Sequence, residues 1–205
     1  MSHLLQQRDA EIPFYGDLLA GTDEAGRGPL AGDLYAAAVI LDPSKPIEGL
    51  ADSKKLSESR RQQLYEDICR NALCWQISIA SVAEVDRINV LQASMLAMKR
   101  AVQALDPQPE YVVVDGNRLP DWSYSSKALV KGDARVAEIS AASILAKVAR
   151  DRHMQEMHKK FPDYGFDQHK GYPTKQHLDM LKQLGSCAIH RQTYRPVMQA
   201  DLFNS

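Results

Sequence analysis

Apolar and polar positions along the chain predict an opening group of strands. A strand is expected over about Leu18–Asp23, and the unbroken apolar run Leu34–Leu41 predicts a second strand that is buried on both faces. The short connection between them favours an antiparallel pair. Apolar residues then alternate with polar ones over Trp75–Val82, which predicts a third strand.

Helical spacing and capping residues predict the elements that follow. Ser57 is expected to cap a helix that ends near Arg70. Apolar side chains recur at helical spacing over Leu91–Leu105, and the prolines after Asp106 stop that helix. Further strands are expected over 111–114 and 126–130, and further helices over 134–160 and 174–184. This order predicts an α/β fold with a mixed central sheet, flanking helices and a C-terminal helical segment.

Length and composition narrow the class of protein. The 205 residues are expected to form one domain over 18–195, after an N-terminal lead of residues 1–17 and before a tail of residues 196–205. A net charge of −1 excludes a protein coated with basic residues, so nucleic acid would have to bind at local patches. The three cysteines show no pairing or zinc-binding spacing, which favours reduced thiols in a cytoplasmic protein. The sequence shows no apolar leader and no membrane-spanning run, so no membrane partner is expected.

The most informative segment joins two carboxylates to a glycine turn. Asp23 and Glu24 end the first predicted strand, and adjacent carboxylates there repel each other unless they are exposed or neutralised by cations. Gly26 and Gly28 let a backbone approach a bound partner closely. Arg27 lies between them and has the side chain that best forks onto a phosphate. The segment predicts a site that processes nucleotides or nucleic acid.

Two further acids lie where sheet proteins keep active sites. Asp115 ends a predicted strand, and Asp133 precedes a predicted helix. Alone, Asp115 is equally compatible with an ordinary turn, and Asp133 is better explained as a helix-capping or first-turn acid. Clustered with Asp23 and Glu24, they would favour hard ions such as Mg²⁺ or Mn²⁺. Two such ions about 4 Å apart can cleave a phosphodiester.

Several motifs, in the same order along the chain, resemble those of bacterial ribonuclease HII. The similarity extends from about Gly21 to Val197, and it implies an RNase H-like fold. The matching segments are Gly21–Pro29, Asp52–Ser57, Val114–Gly116, Lys131–Asp133, Ile139–Val148, Arg150–Arg152 and His169–Tyr172.

The resemblance implies an activity and a metal site. It implies hydrolysis of the RNA strand of RNA–DNA hybrids, and incision of duplex DNA 5′ to an embedded ribonucleotide, leaving a 3′-hydroxyl and a 5′-phosphate. Roles in ribonucleotide removal and RNA primer removal follow. The four acids Asp23, Glu24, Asp115 and Asp133 would hold two Mg²⁺ or Mn²⁺ ions, with Asp23 shared by both and no side chain needed as general base.

Substrate recognition is assigned partly by chemistry and partly by resemblance. Bare backbone at Gly26, Arg27 and Gly28 is suited to reading a 2′-hydroxyl, the group that distinguishes RNA from DNA. Tyr172 alone would be a packing residue, but the family's equivalent tyrosine stacks on the deoxyribose after the ribonucleotide. Lys54, before a helix N-terminus, is the expected phosphate contact.

Basic residues and histidines between Lys147 and Lys175 have a less specific interpretation. The basic residues form a diffuse patch that could contact phosphates or simply be solvated. The histidines of this region could suggest zinc, but no cysteine or acid completes a compact site. We expect them at the surface or at phosphates, and they are His153, His158, His169 and His177.

The C-terminal segment carries a short apolar motif. Gln199, Leu202 and Phe203 resemble the bacterial motif that anchors in a groove of the DNA sliding clamp. The alternative is that Leu202 and Phe203 fold back onto the protein's own surface.

Two rival functions stay open at this stage. A ribonuclease HIII-like enzyme shares the core but usually carries an additional N-terminal domain, for which the residues before the first strand leave no room. A non-catalytic module that binds hybrids is disfavoured by the complete set of four acids.

Overall fold

The computed structural model describes residues 9–50, 53 and 56–204, apart from the side chains of residues 203 and 204. A five-stranded sheet lies at its centre in the order β3-β2-β1-β4-β5. β2 pairs antiparallel with β1 and with β3, whereas β4 runs parallel to β1 and to β5. This confirms the predicted mixed sheet. The strands are β1 Leu19–Ala25, β2 Leu34–Ile40, β3 Cys74–Ala80, β4 Tyr111–Asp115 and β5 Ser126–Leu129.

Helices cover both faces of this sheet. The capping prediction at Ser57 is confirmed, because its side chain accepts the N–H group of Arg60, and Thr174 likewise accepts the N–H group of His177 at the start of a later helix. The helices are α1 Glu58–Asn71, α2 Val82–Gln103, α3 Ala137–Lys160, α4 Phe166–His169, α5 Lys175–Leu184 and α6 Arg195–Asn204.

α2 begins earlier than its apolar stripe predicts. Ser81 and Glu84 form a reciprocal capping box, which ends β3 at Ala80 and starts the helix at once. The helix is then interrupted at Asn89, whose φ of 66° is left-handed. The Asn89 side chain accepts the N–H groups of Leu91 and Gln92 and so restarts the helix where the stripe begins.

Alternate residues of β2 explain its continuous apolar run. Ala36 and Ala38 pack with α2, whereas Ala37 and Val39 pack with α1 and α3. A strand between two helical layers has no solvent face, so it contains no polar positions.

Gly21 lets α3 approach β1 very closely. A Cβ at this position would lie 2.2 Å from the backbone carbon of Glu138 and 2.3 Å from the nitrogen of Ile139. The missing side chain therefore brings the start of α3, and the turn before it, against the strand that carries Asp23.

The C-terminal segment was expected to be a tail, but the structure places most of it in α6. Val197 and Ala200 are buried against Leu30 and Leu181, so the first half of the helix belongs to the folded body. Periodicity alone gave no sign of this because apolar residues of α6 lie on its exposed side, as Met198 and Leu202 do, as well as on its buried side. Within the described ranges, no helix is long and apolar enough to cross a membrane.

Candidate active site

The sheet brings three of the predicted acids to one edge. In the parallel pair of β1 and β4, Thr22 lies opposite Val114, so Asp23 and Asp115, the next residues, are neighbours. Glu24 follows on β1, and its N–H donates to Asp23 Oδ1 at 2.7 Å. The three carboxylates line one cavity of about 330 Å³.

Asp23 has the least favourable environment for a negative charge. It is buried, and desolvation together with the charges of Glu24 and Asp115 raises the pKa of Asp23 well above its ordinary value. A hydrogen bond from Ser143 opposes this shift in pKa. Ser143 in turn lies 2.9 Å from Ser53, hydroxyl to hydroxyl, so α3 contributes a polar group to the cavity that the carboxylates line.

Asp133 joins the other acids through its backbone. It lies in a short 3-10 turn, Gly132–Ala134, and its N–H donates to Asp115 Oδ1 at 3.3 Å. Asp133 is itself buried and lines a neighbouring cavity of about 220 Å³ with Arg135 and Glu138. The turn thus places the fourth acid beside the cavity that holds the other three.

The donor set fits hard divalent cations. Oxygen ligands are what Mg²⁺ and Mn²⁺ prefer, and the repulsion felt by Asp23 is what a cation would relieve. Among the described residues, however, no three histidine, cysteine, aspartate or glutamate side chains form a compact ligand set.

The glycine turn and Tyr172 line the same cavity as Asp23. A Cβ on Gly28 would lie 3.6 Å from the Tyr172 ring, and that ring is 38% exposed. Lys147 lies 5.5 Å from the ring centre. The side chain of Arg27, expected to fork onto phosphate, instead forms an ion pair with Glu24 at 3.2 Å. The structure therefore brings together both predicted recognition elements and the carboxylates.

The remaining predicted contact residues lie elsewhere or outside the described part. Lys54 and the side chain of Phe203 are outside the described residues. Gln199 and Leu202 lie on α6, where both are exposed and Leu202 is 76% accessible.

The expectation that the histidines lie at the surface is wrong for His169 and His177. Both are buried, as is His190, and the ring nitrogens of His177 and His190 are 3.0 Å apart. His177 Nδ1 also lies 3.0 Å from the carbonyl oxygen of Tyr172. They support the loop that carries the tyrosine, a role that no local pattern could show because the partners come from separate segments.

The sequence patterns also did not identify two buried arginines as supports of the glycine turn. Arg150 and Arg191 are at most 1% exposed, and both donate to backbone carbonyls around this turn. The signal for Arg150 was its place on the buried stripe of α3, four residues before Met154. Arg191 had no such signal, because it lies outside any helix or strand.

Known sequences resemble this chain over almost its full length. The profile of the family described as Ribonuclease HII matches residues 20–197. The chain is 59% identical to the Ribonuclease HII of Pseudoalteromonas atlantica over 180 residues, which are 88% of this chain and 91% of that protein. It is 58% identical to the Ribonuclease HII of a Marinomonas species, over 90% of this chain and 93% of that protein.

Solved structures share the fold. Ribonuclease H2 from Pyrococcus horikoshii superposes with a TM-score of 0.75 at 27% identity, over 91% of this chain and 99% of that one. Archaeoglobus fulgidus RNase HII, solved in complex with PCNA, gives a TM-score of 0.72 at 26% identity, over 87% and 95%. Bst RNase HIII in complex with Mn²⁺ shares the fold alone, with a TM-score of 0.75 at 16% identity over 91% and 70%.

These matches confirm the RNase H-like fold and the resemblance noted from the motifs. The coverage of the bacterial relatives is nearly complete in both directions, which favours ribonuclease HII over the HIII-like alternative. The chain belongs to the ribonuclease HII family and is therefore a ribonuclease H, an endonuclease that acts on RNA–DNA hybrids.

Proposed function

We propose that this enzyme also incises duplex DNA on the 5′ side of a single embedded ribonucleotide, leaving a 3′-hydroxyl and a 5′-phosphate. One observation carries the proposal. Asp23, Glu24 and Asp115 line the same cavity as the Gly26–Gly28 turn and Tyr172. Groups suited to phosphodiester hydrolysis and groups suited to reading one sugar are thus within reach of the same nucleotide. Ribonucleotide removal and RNA primer removal are the roles that such an enzyme would perform.

Asp23, Glu24, Asp115 and Asp133 are the residues that would hold divalent ions. Two Mg²⁺ or Mn²⁺ ions there would supply an activated water and a stabilised leaving oxygen. Bst RNase HIII, a protein of the same fold, was solved in complex with Mn²⁺, in line with this assignment. The protein's own contribution is a rigid edge of the sheet, since β1 and β4 fix Asp23 beside Asp115.

The glycine turn would recognise the ribose of the ribonucleotide, and Tyr172 would contact the nucleotide that follows it. Gly28 has no side chain, so its backbone is open toward the cavity that Tyr172 also lines. A 2′-hydroxyl both donates and accepts hydrogen bonds, so backbone N–H and C=O groups can recognise it. The exposed Tyr172 ring offers a face on which a sugar or base can stack. Arg27, held by Glu24, is a weaker candidate for direct contact.

Phosphate contacts would come from basic residues beside the cavity. Lys147 lines it and is held by Asp151 at 2.8 Å, which keeps its ammonium near the Tyr172 ring. Lys54 remains a proposed contact because of its position before the N-terminus of α1.

A sliding clamp is the proposed protein partner. Gln199 and Leu202 are exposed on α6, as a docking motif requires, while Val197 and Ala200 anchor the helix to the body. The archaeal RNase HII whose fold matches this chain was solved in complex with PCNA. Phe203 would complete the motif.

The decisive experiment compares matched Asp-to-Asn variants on a duplex containing one ribonucleotide, with Mg²⁺ or Mn²⁺. The wild-type enzyme should incise 5′ to the ribonucleotide and leave an all-DNA duplex intact. Asp115→Asn should lower the rate ~100-fold or more, because transition-state stabilisation is lost. Asp121→Asn, the same change at an exposed loop position, should match the wild type.

Cleavage of RNA–DNA hybrids by the wild type, and the relative rates of the two variants, show whether the proposed activity or the assigned site is wrong. If the wild type cleaves RNA–DNA hybrids but leaves the single-ribonucleotide duplex intact, the proposed activity is wrong. If Asp115→Asn incises as fast as Asp121→Asn, the assigned site is wrong.

A further inference from the structure

Arg191 lies beneath the glycine turn with its guanidinium fully buried. It donates to the carbonyl oxygens of Gly26 at 2.6 Å, Arg27 at 3.1 Å and Gly32 at 2.8 Å. The hydroxyl of Tyr194 accepts from Arg191 at 3.0 Å and donates to the Arg27 oxygen at 2.9 Å. A planar group with five donors in a fixed fork suits several carbonyls held at set positions.

The charge of Arg191 is unusual for so deep a position. Among the described residues, no carboxylate lies within ion-pair distance of its guanidinium. Burying a cation without an ion-pair partner is costly, and here backbone oxygens and the Tyr194 hydroxyl accept its N–H groups. A hydrophobic residue of similar size could fill the space but would leave these carbonyl oxygens without donors, so packing by itself does not account for an arginine.

The direction of the bonded carbonyls determines where the turn's N–H groups point. In a planar trans peptide, the C=O and the following N–H point in opposite directions. The Gly26 and Arg27 oxygens point inward to Arg191, so the N–H groups of Arg27 and Gly28 point away from it. Both residues line the cavity, and neither N–H donates to another group of the described residues.

We propose that Arg191 is a positioning residue for ribonucleotide recognition, because it holds the turn so that the N–H groups of Arg27 and Gly28 face the substrate. This inference rests on the proposed reading of the 2′-hydroxyl by the turn. Arg191 touches no substrate atom in this account. It fixes two donors before the substrate arrives, which spares the ordering cost of a flexible glycine turn.

Arg150 supports the same turn from its other end. It donates to the carbonyl oxygens of Ala31 at 3.0 Å and of Lys170 at 3.0 Å, and so links the turn's loop to the segment that leads to Tyr172. It does not bond the Gly26 or Arg27 oxygen, so the two N–H donors depend on Arg191 rather than on Arg150.

The test measures discrimination between two duplexes that differ only in one 2′-hydroxyl. Full-length protein carrying Asp115→Asn, which slows incision, is titrated against each duplex by fluorescence anisotropy without added divalent metal. In this background the ribonucleotide duplex should bind more tightly. Adding Arg191→Lys should raise its Kd about tenfold, as expected for one or two lost hydrogen bonds, and leave the Kd of the all-DNA duplex unchanged.

Two more variants separate positioning from folding. Arg100→Lys makes the same chemical change at an arginine that bonds the Ile79 carbonyl and Glu84 on α2, and it should keep the parental ratio of Kd values. Tyr194→Phe keeps the ring but removes the hydroxyl that donates to the Arg27 oxygen and accepts from Arg191, and it should lower the ratio about threefold because Arg191 itself still bonds both carbonyl oxygens of the turn. It remains informative if Arg191→Lys does not fold.

The possible results are distinguishable. If the parent protein binds both duplexes equally, the proposed reading of the 2′-hydroxyl fails, and the role of Arg191 fails with it. If the parent discriminates and both Arg191→Lys and Tyr194→Phe discriminate equally well, only the positioning role is overturned. A loss of affinity for both duplexes in equal measure also overturns it, since that result indicates general damage to the binding surface.

Discussion

The buried histidine pair predicts a loss of stability in mild acid. The Cys187 N–H donates to His190 Nδ1 at 2.9 Å, so the proton of His190 resides on Nε2, which faces His177 Nε2 at 3.0 Å. His177 then donates from Nδ1 to the Tyr172 oxygen at 3.0 Å. Every ring nitrogen is thereby used by the neutral forms. An added proton would face another donor, and His169 stacks on His177 with ring centres 4.4 Å apart.

The magnitude follows from the pKa values. Burial is the main reason that the pKa of His177 and that of His190 fall from 6.5 to about 4. The unfolded chain therefore binds protons below pH 6.5 that the native state refuses until about pH 4. Stability is fully present above pH 6.5 and is lost as the pH falls toward 4. At pH 5 each of the two histidines lowers the free energy of unfolding by about 2 kcal/mol, or by about 4 kcal/mol for the pair.

Urea unfolding at about pH 7.5 and pH 5 measures this loss. The wild type should lose about 2 kcal/mol more between the two pH values than His177→Gln, because one titrating ring is gone from the variant. Met98→Ala, in the core on α2, should lower stability at both pH values by about 3 kcal/mol and keep the full loss. Groups that titrate in every variant cancel in this comparison. An equal loss in the wild type and His177→Gln would refute the reasoning.

Two further substitutions test the fold and the partner surface. Gly21→Ala should destabilise the protein by about 2–3 kcal/mol in urea unfolding, because its Cβ would overlap the α3 backbone. Gly28→Ala has room for a Cβ and should change stability little. Equal effects of the two substitutions would contradict the close approach of α3 to β1. Leu202→Ala should weaken binding to the purified clamp about tenfold in a titration. Met198→Ala, at an exposed residue of the same helix but outside the motif, should bind as the wild type does. Equal binding by both variants would contradict the clamp proposal.

The site divides into residues that a local pattern could find and residues that it could not. Asp23 and Glu24 were recognisable because two carboxylates at a strand end need a chemical reason, which the glycine turn supplied. Tyr172 depended on the family resemblance, since a tyrosine before proline is usually a packing residue. The structure brings Tyr172 and Gly28 to one cavity, but it pairs Arg27 with Glu24 rather than leaving it free for phosphate.

Some elements differed from expectation because tertiary contacts outweighed the local pattern. Residues 196–205 were expected to be a tail, but α6 spans Arg195–Asn204, since Val197 and Ala200 find a partner surface on Leu30 and Leu181. Apolar residues lie on both the buried and the exposed sides of this helix, so they carry little periodic signal. Their burial depends on a surface built from distant parts of the chain.

The sequence by itself determined the order of strands and helices, the cap at Ser57, the acids at the sheet edge and the family. These features are local: each is written in residues a few positions apart, where periodicity, capping and motif spacing act. Only the tertiary structure decided which polar side chains are buried and what they hold. Arg191 bonds Gly26 across 165 positions of sequence. No local pattern records such a pair, because burial and hydrogen bonding at that distance arise only when the folded layers bring the segments together.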